Sequence, residues 1–352
     1  MPIYIKGMGT ISPQQSWGDG GLLSELRDHK GNRLSCLEPD YTQYISAPSL
    51  RRMSRIIKMG VTASAIALRE AGMEAPDGII TGTSYGCLDD TGIFLGKMVE
   101  NKEHALNPTP FIHSTHNTIG SQIALLINCQ GYNQTYTQGA FSFESALLDA
   151  LLELKDNPNQ SILAGGVDEI TANSHAIQKR FGIFRNAPAS SLDLFNVPAA
   201  GTINGEGAAY FVLSGKKGSQ DKVAVDSVAT FYKPGHQALL NGISQFVQAA
   251  ALLPGDIDLV LLGKCGDTRL DQATEAISTT LFSSNVIGSF KHLCGEYPTA
   301  SAFALWLGAR MIQARQIPEV VATGNVHRPL RTILIYNPYF GNYHSLILLR
   351  AC

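Results

Sequence analysis

Two periods of hydrophobic and polar residues run along the chain. Residues 2–6 alternate and predict a strand. Residues 50–72 (LRRMSRIIKMGVTASAIALREAG) carry apolar side chains at helical spacing and stop at Gly72. DGIITGTSYG (77–86) is a short apolar run closing in a glycine turn, the pattern of a buried strand and its loop. An apolar helix follows at 117–128, then a β-branched and aromatic strand, NQTYTQGA (133–140). That strand runs straight into a strong helix, SFESALLDALLELK. Buried strands are predicted at 161–171 and 207–214.

The second half repeats this grammar. A strand at 223–232 precedes a helix at 241–253, and a buried strand at 258–267 precedes a helix at 271–282. Residues 285–296 lead into a helix from Thr299 to Ala314, with the local pattern around His292 read as extended; two strands close the chain. Strand-then-helix order in both halves predicts an α/β layered protein built by duplication, divided as 1–215 and 216–352.

Composition narrows the function classes. The 352 residues are 44% hydrophobic and 16% charged with a net charge of −2, so no basic field recruits nucleic acid. The six cysteines form no C-x-x-C pair and fit neither a zinc site nor a disulfide framework; reduced thiols in the cytoplasm are expected. No run of 18 apolar residues is present, so no membrane span is expected, and the first residues lack a signal-peptide pattern. No metal or cofactor is implied.

The sharpest local feature is Thr137-Gln138-Gly139-Ala140-Phe141-Ser142, where a strand turns into a helix. Such an elbow exposes one side chain at a helix N-terminus, where the dipole and free N–H groups favour an anion or thiolate. Around it stand, in order, IKGMGTISP, TGTSYG, LAGGVDEIT, INGEGAAYFVL, GKCGDTRLDQATE and FKHLCGEYPTASAFAL. Together these segments resemble the β-ketoacyl synthase family of the thiolase superfamily. IKGMGTISP is similar to the family's opening strand and turn, TGTSYG to its glycine loop, and LAGGVDEIT and INGEGAAYFVL to "a-GG-dE" and "v-GEGAg-lvL". GKCGDTRLDQATE resembles "HGTGT-lnD--E", and FKHLCGEYPTASAFAL resembles "sK---GH--GAAG". The resemblance spans the chain and implies a thiolase fold, with duplicated five-stranded α/β halves stacked as an αβαβα sandwich.

The family's catalysis uses a cysteine that carries an acyl thioester and two histidines that stabilise the enolate formed from malonate. Counting from Gly131 and Ala146 puts the cysteine position at Ala140. The histidine positions fall on Cys265 and Glu296, whereas the family lysine is retained as Lys291. A methyl group carries no thioester, and neither thiol nor carboxylate does an imidazole's double duty as donor and acceptor. A buried Lys291–Glu296 ion pair is expected. The glycine-rich C-terminal loop of the family is reduced here to Tyr336-Asn337-Pro338-Tyr339-Phe340-Gly341-Asn342.

The resemblance therefore implies a chain-length-factor-like subunit. It would pair with an active homologous ketosynthase, or with itself, and meet an acyl carrier protein. Phe141, Phe143, Phe111 and Ile112 are candidates to line the partner's acyl tunnel. The alternatives are an acyltransferase, thioesterase or malonyl decarboxylase using Cys265, Ser142, Lys291 and Glu296, and an acyl-binding scaffold without a ketosynthase partner.

Overall fold

The computed structural model describes residues 2–18, 22–186, 189–322 and 329–352. In the first half, β1 (Ile3–Ile11) is followed by helix α1 (Arg55–Ala71), β2 (Gly78–Gly82), helices α2 (Leu88–Glu100), α3 (Pro108–His113) and α4 (Thr118–Leu126), then β3 (Tyr132–Tyr136). Next come α5 (Ser142–Asp156), β4 (Ser161–Asp168), α6 (Ala172–Arg180) and β5 (Gly207–Ser214). The second half runs β6 (Val223–Tyr232), α7 (His236–Ala249), β7 (Leu259–Leu262), α8 (Thr268–Leu281) and β8 (Val286–Ser289). It ends with α9 (Lys291–Cys294), α10 (Ala300–Ala314), β9 (Thr332–Tyr339) and β10 (Tyr343–Ala351).

The two sets of strands share one topology. The first five order as β3-β2-β4-β5-β1 and the second five as β8-β7-β9-β10-β6. In each set the three outermost strands run parallel, and the remaining two pairings are antiparallel. Even an irregularity is repeated: the register shifts between Ile5 and Gly7 in β1 and between Val225 and Ser227 in β6, the same distance from each strand's start. The sets meet where Ile3 and Tyr4 pair with Val225 and Ala224.

Side-chain alternation along the strands separates three apolar layers. On β5, Ala209, Phe211 and Leu213 face the central layer, while Ala208, Tyr210 and Val212 face an outer layer with α1 and α4. On β10, Ile347 and Leu349 face the centre, while Leu346 and Leu348 face the other outer layer with α7 and α8. Helices α5 and α10 fill the centre, burying Phe143, Leu147 and Leu154 from one and Phe303, Leu307 and Met311 from the other. Each such side chain contributes roughly 2 kcal/mol of burial. The result is the expected αβαβα sandwich.

Several boundaries differ from the sequence reading. The helix read at 50–72 splits, with a short turn at Ala47–Leu50 and α1 starting only at Arg55. The segment around His292 is helical, not extended, so alternation does not decide where His292 points.

Candidate functional site

The elbow is built by two glycines and a serine. Strand β3 ends at Tyr136, a tight turn spans Gly139–Phe141, and α5 begins at Ser142. Gly139 has φ +58°, a left-handed conformation that costs a side-chain-bearing residue energy. Gly82, at the end of β2, matters for its lack of a Cβ, which would lie 2.3 Å from the Ser142 carbonyl oxygen. The Ser142 hydroxyl accepts the Gln138 N–H at 2.9 Å and donates to the Gly139 carbonyl at 2.7 Å. Both of its roles are spent closing the turn. Ala140 lies inside this turn and is 3% exposed.

The other expected positions lie close to one another. Cys265 sits in the loop after β7, where its own N–H and that of Gly266 bond the Asp271 carboxylate at 2.9 and 2.8 Å. Lys291 donates to Glu296 Oε2 and to the Pro338 carbonyl, each at 2.8 Å. The expected buried ion pair is present, with the two side chains 0% and 1% exposed. Burial pushes the Cys265 thiol well up, the Glu296 and Asp271 carboxylates add to this, and Lys291 opposes it. Burial also raises the Glu296 carboxyl, against the pull of Lys291. Glu144, in the first turn of α5, accepts from Ser345 Oγ at 2.7 Å; burial raises its carboxyl and Lys291 again opposes. One lysine thus serves two buried carboxyl groups. Among the described residues, Oε1 of Glu296 and Oδ1 of Asn337 have no hydrogen-bond partner.

A cavity of about 20 Å³ adjoins Glu296 and is lined by Tyr85, Asp168, Glu169, Tyr297, Tyr339 and Phe340, among others. That is room for about one water molecule. Asp168 accepts the N–H groups of Ser84 and Tyr85 and the hydroxyls of Thr83 and Thr299 at 2.9–3.2 Å. Burial raises Asp168 to about 6 and Glu169 to about 7.

The aromatic candidates scatter. Phe143 is wholly enclosed in the central core, tilted against Phe211 at 6.0 Å. Phe141 is half-buried, edge-on to Tyr343 at 4.9 Å. Phe111 and Ile112 lie on α3 and are 55% and 60% exposed. His292 is buried, bonds the Val320 carbonyl through Nε2 at 2.9 Å, and burial lowers its pKa to about 4. Three acidic anchors escaped sequence reasoning although they lie in the motifs it quoted: Asp168, Asp271 and Glu206. Glu206 takes both terminal nitrogens of Arg55 at 2.6 Å and the N–H groups of Cys36 and Ile170 at 2.8 Å. Among the described residues no helix is long and apolar enough to cross a membrane, and no grouping of His, Cys, Asp or Glu could hold a metal ion.

Solved structures share this architecture. The ishigamide ketosynthase/chain length factor aligns over 100% of this chain and 99% of its own, with TM-score 0.80 and 16% identity. A chain of AntDE:AntF, a type II polyketide acyl-carrier protein in complex with its ketosynthase, aligns over 100% and 99%, with TM-score 0.79 and 13% identity. A chain of the ketosynthase ApeO in complex with its chain length factor ApeC, from Xenorhabdus doucetiae, aligns over 100% and 98%, with TM-score 0.77 and 14% identity. At these identities the likeness is one of fold. No curated protein sequence gives a significant match. The family profile of the β-ketoacyl synthase N-terminal domain matches residues 21–218. With more than half of its length matched, the chain belongs to the β-ketoacyl synthase family.

Proposed function

We propose that this chain is a non-elongating subunit of the chain-length-factor type, which pairs with an active homologous ketosynthase and helps bound its acyl tunnel in polyketide, aryl polyene or fatty-acid-like synthesis. One observation carries the reading: the elbow presents a buried methyl group, and a lysine–carboxylate pair stands where the second imidazole is expected. A carboxylate held by Lys291 has no proton donor to offer a developing enolate.

The surface supports a partner. Strand β3 is a sheet edge, which proteins pair or cover. Tyr132 on that edge is 42% exposed, and Leu148 and Leu152 on the neighbouring α5 are 45% and 54% exposed. Leu125 on α4 is 74% exposed. An apolar face flanking an open edge fits a homologous subunit better than solvent. Phe111 and Ile112 are exposed and available to a partner's tunnel, whereas Phe143 would need the core to open first. An acyl carrier protein would meet the pair, not this chain alone. The division at 215/216, between β5 and β6, and a cytoplasmic setting for the free cysteines belong to the same proposal.

An altered enzyme draws less support. The Ser142 hydroxyl is engaged on both sides, and the Cys265 thiol is buried with its thiolate disfavoured. The test is co-expression with an active ketosynthase, size exclusion, and assay with acyl-carrier thioesters. A one-to-one heterodimer is expected, with no condensation by this chain alone, and Ala140→Cys should not restore it. Condensation by the isolated chain, or by that single variant, would refute the reading. A stable homodimer that ignores every ketosynthase would favour an acyl-binding scaffold.

A further inference from the structure

We propose that Tyr343 is a stopper over the elbow: its ring, and not a substrate, occupies the approach to residue 140. The inference rests on the reading of residue 140 as the lost nucleophile position and adds a steric closure to a chemical loss.

The position of the ring follows from the sheet. Residues 343, 345, 347 and 349 of β10 share one face, and Ile347 and Leu349 place that face toward the central layer, where α5 begins. Ser345 confirms it by donating to Glu144 in the first turn of α5. One step further along the face, Tyr343 reaches the elbow. Its hydroxyl would stand 3.3 Å from a Cβ on Gly139, and its ring lies 4.9 Å from that of Phe141. The side chain therefore stands against the residues on both sides of Ala140, which is itself buried.

The stopper is braced. Tyr343 stands directly opposite Tyr232 in one ladder and Tyr339 in the other, with ring centroids 5.1 and 6.2 Å away in edge-on arrangements. Phe340 packs on Tyr339 at 4.3 Å, and the Lys233 ammonium lies 5.2 Å over Tyr232. The turn beneath is tight, with the Asn342 N–H bonding the Tyr339 carbonyl at 3.2 Å and the Lys233 N–H bonding the Asn342 carbonyl at 2.6 Å. Edge-on aromatic packing on two flanks disfavours other rotamers of Tyr343.

The experiment places a thiol at the elbow as a probe. Ala140→Cys and the double variant Ala140→Cys/Tyr343→Gly are treated with iodoacetamide, and alkylation of the peptide holding residue 140 is followed by mass spectrometry. The exposed Cys352 supplies the reference rate. In the single variant the introduced thiol should react at least about tenfold more slowly than in the double variant, because access limits the reaction. Reaction in the single variant as fast as Cys352 would overturn the proposal. So would an unchanged rate in a double variant that keeps wild-type circular dichroism. If the glycine variant does not fold, Ala140→Cys/Phe141→Ala opens the same approach from the other side and is held to the same criterion. Partner binding is measured separately by co-expression, so failure of the stopper and failure of the subunit reading give different results.

Discussion

At the scale of the residue, burial decides the chemistry. Lys291 neutralises Glu296 and stands near Glu144, so its removal leaves buried carboxyl groups without their cation. Lys291→Met should cost about 3–5 kcal/mol at pH 8. The cost should shrink at pH 5, because without the lysine the Glu296 carboxyl is held still higher, and folded stability is then lost as pH rises. Glu296→Gln in the same background should recover much of the loss. Urea melts of the four-member cycle at two pH values measure this, and additive effects would contradict it. Glu169 gives a separate test. Its carboxyl is raised by burial to about 7, above its ordinary value, so it favours the fold at low pH and that contribution is lost as pH rises toward 7. His292, lowered to about 4 by burial, acts oppositely: its contribution is gained as pH rises from about 4 toward its ordinary value. The two partly cancel in the native chain. Glu169→Gln should therefore gain stability relative to the native chain by about 3 kcal/mol between pH 4.5 and 8.

Elements explain which parts of the sequence were readable. Strands β5 and β6 lie at 207–214 and 223–232, as their composition predicts; β5 is buried along its whole length and leaves a continuous apolar signature, whereas β6 is buried only over its first three residues and is marked by its β-branched and aromatic side chains. Helix α7 was misplaced: it runs His236–Ala249, not 241–253. The apolar pattern continues past its end, and the stop is made by Ala251 at φ +55°, where no glycine announces it. Helix α2 gave no signal, since only Asp90 in it is buried and it contains Gly92 and Gly96, poor helix formers. The motifs most easily matched, around Asp168, Glu206 and Asp271, tie loops to the ends of strands and to helix α8, a structural task that needs no catalytic group. Tyr343 was invisible because only the β9–β10 pairing brings it to Gly139. The exposed face of α5 belongs at this scale as well. Leu148→Lys/Leu152→Lys changes two solvent-facing positions and should shift the melting temperature little while abolishing ketosynthase association. Undiminished co-purification would move the interface elsewhere.

At the scale of the whole molecule, duplication was legible as repeated element order, but its depth appears only in the matching strand orders and paired bulges. The central helices α5 and α10 each contact strands of both five-stranded sets, so the elbow and the β10 face share one packed centre. The cavity at Glu296 measures about 20 Å³. One methylene needs about as much space as a water molecule, so a growing acyl chain of several carbons has no room there. If the subunit reading holds, the chain must grow on the partner's cysteine and lie between the subunits. This predicts one acyl chain per heterodimer, attached to the partner. Native mass spectrometry of the complex after loading with acyl-carrier thioester should show a single mass addition, and denaturing spectra should place it on the active ketosynthase alone. Two additions, or one on this chain, would mean that the packed centre opens to admit substrate. The stopper and the small cavity would then describe only a resting conformation.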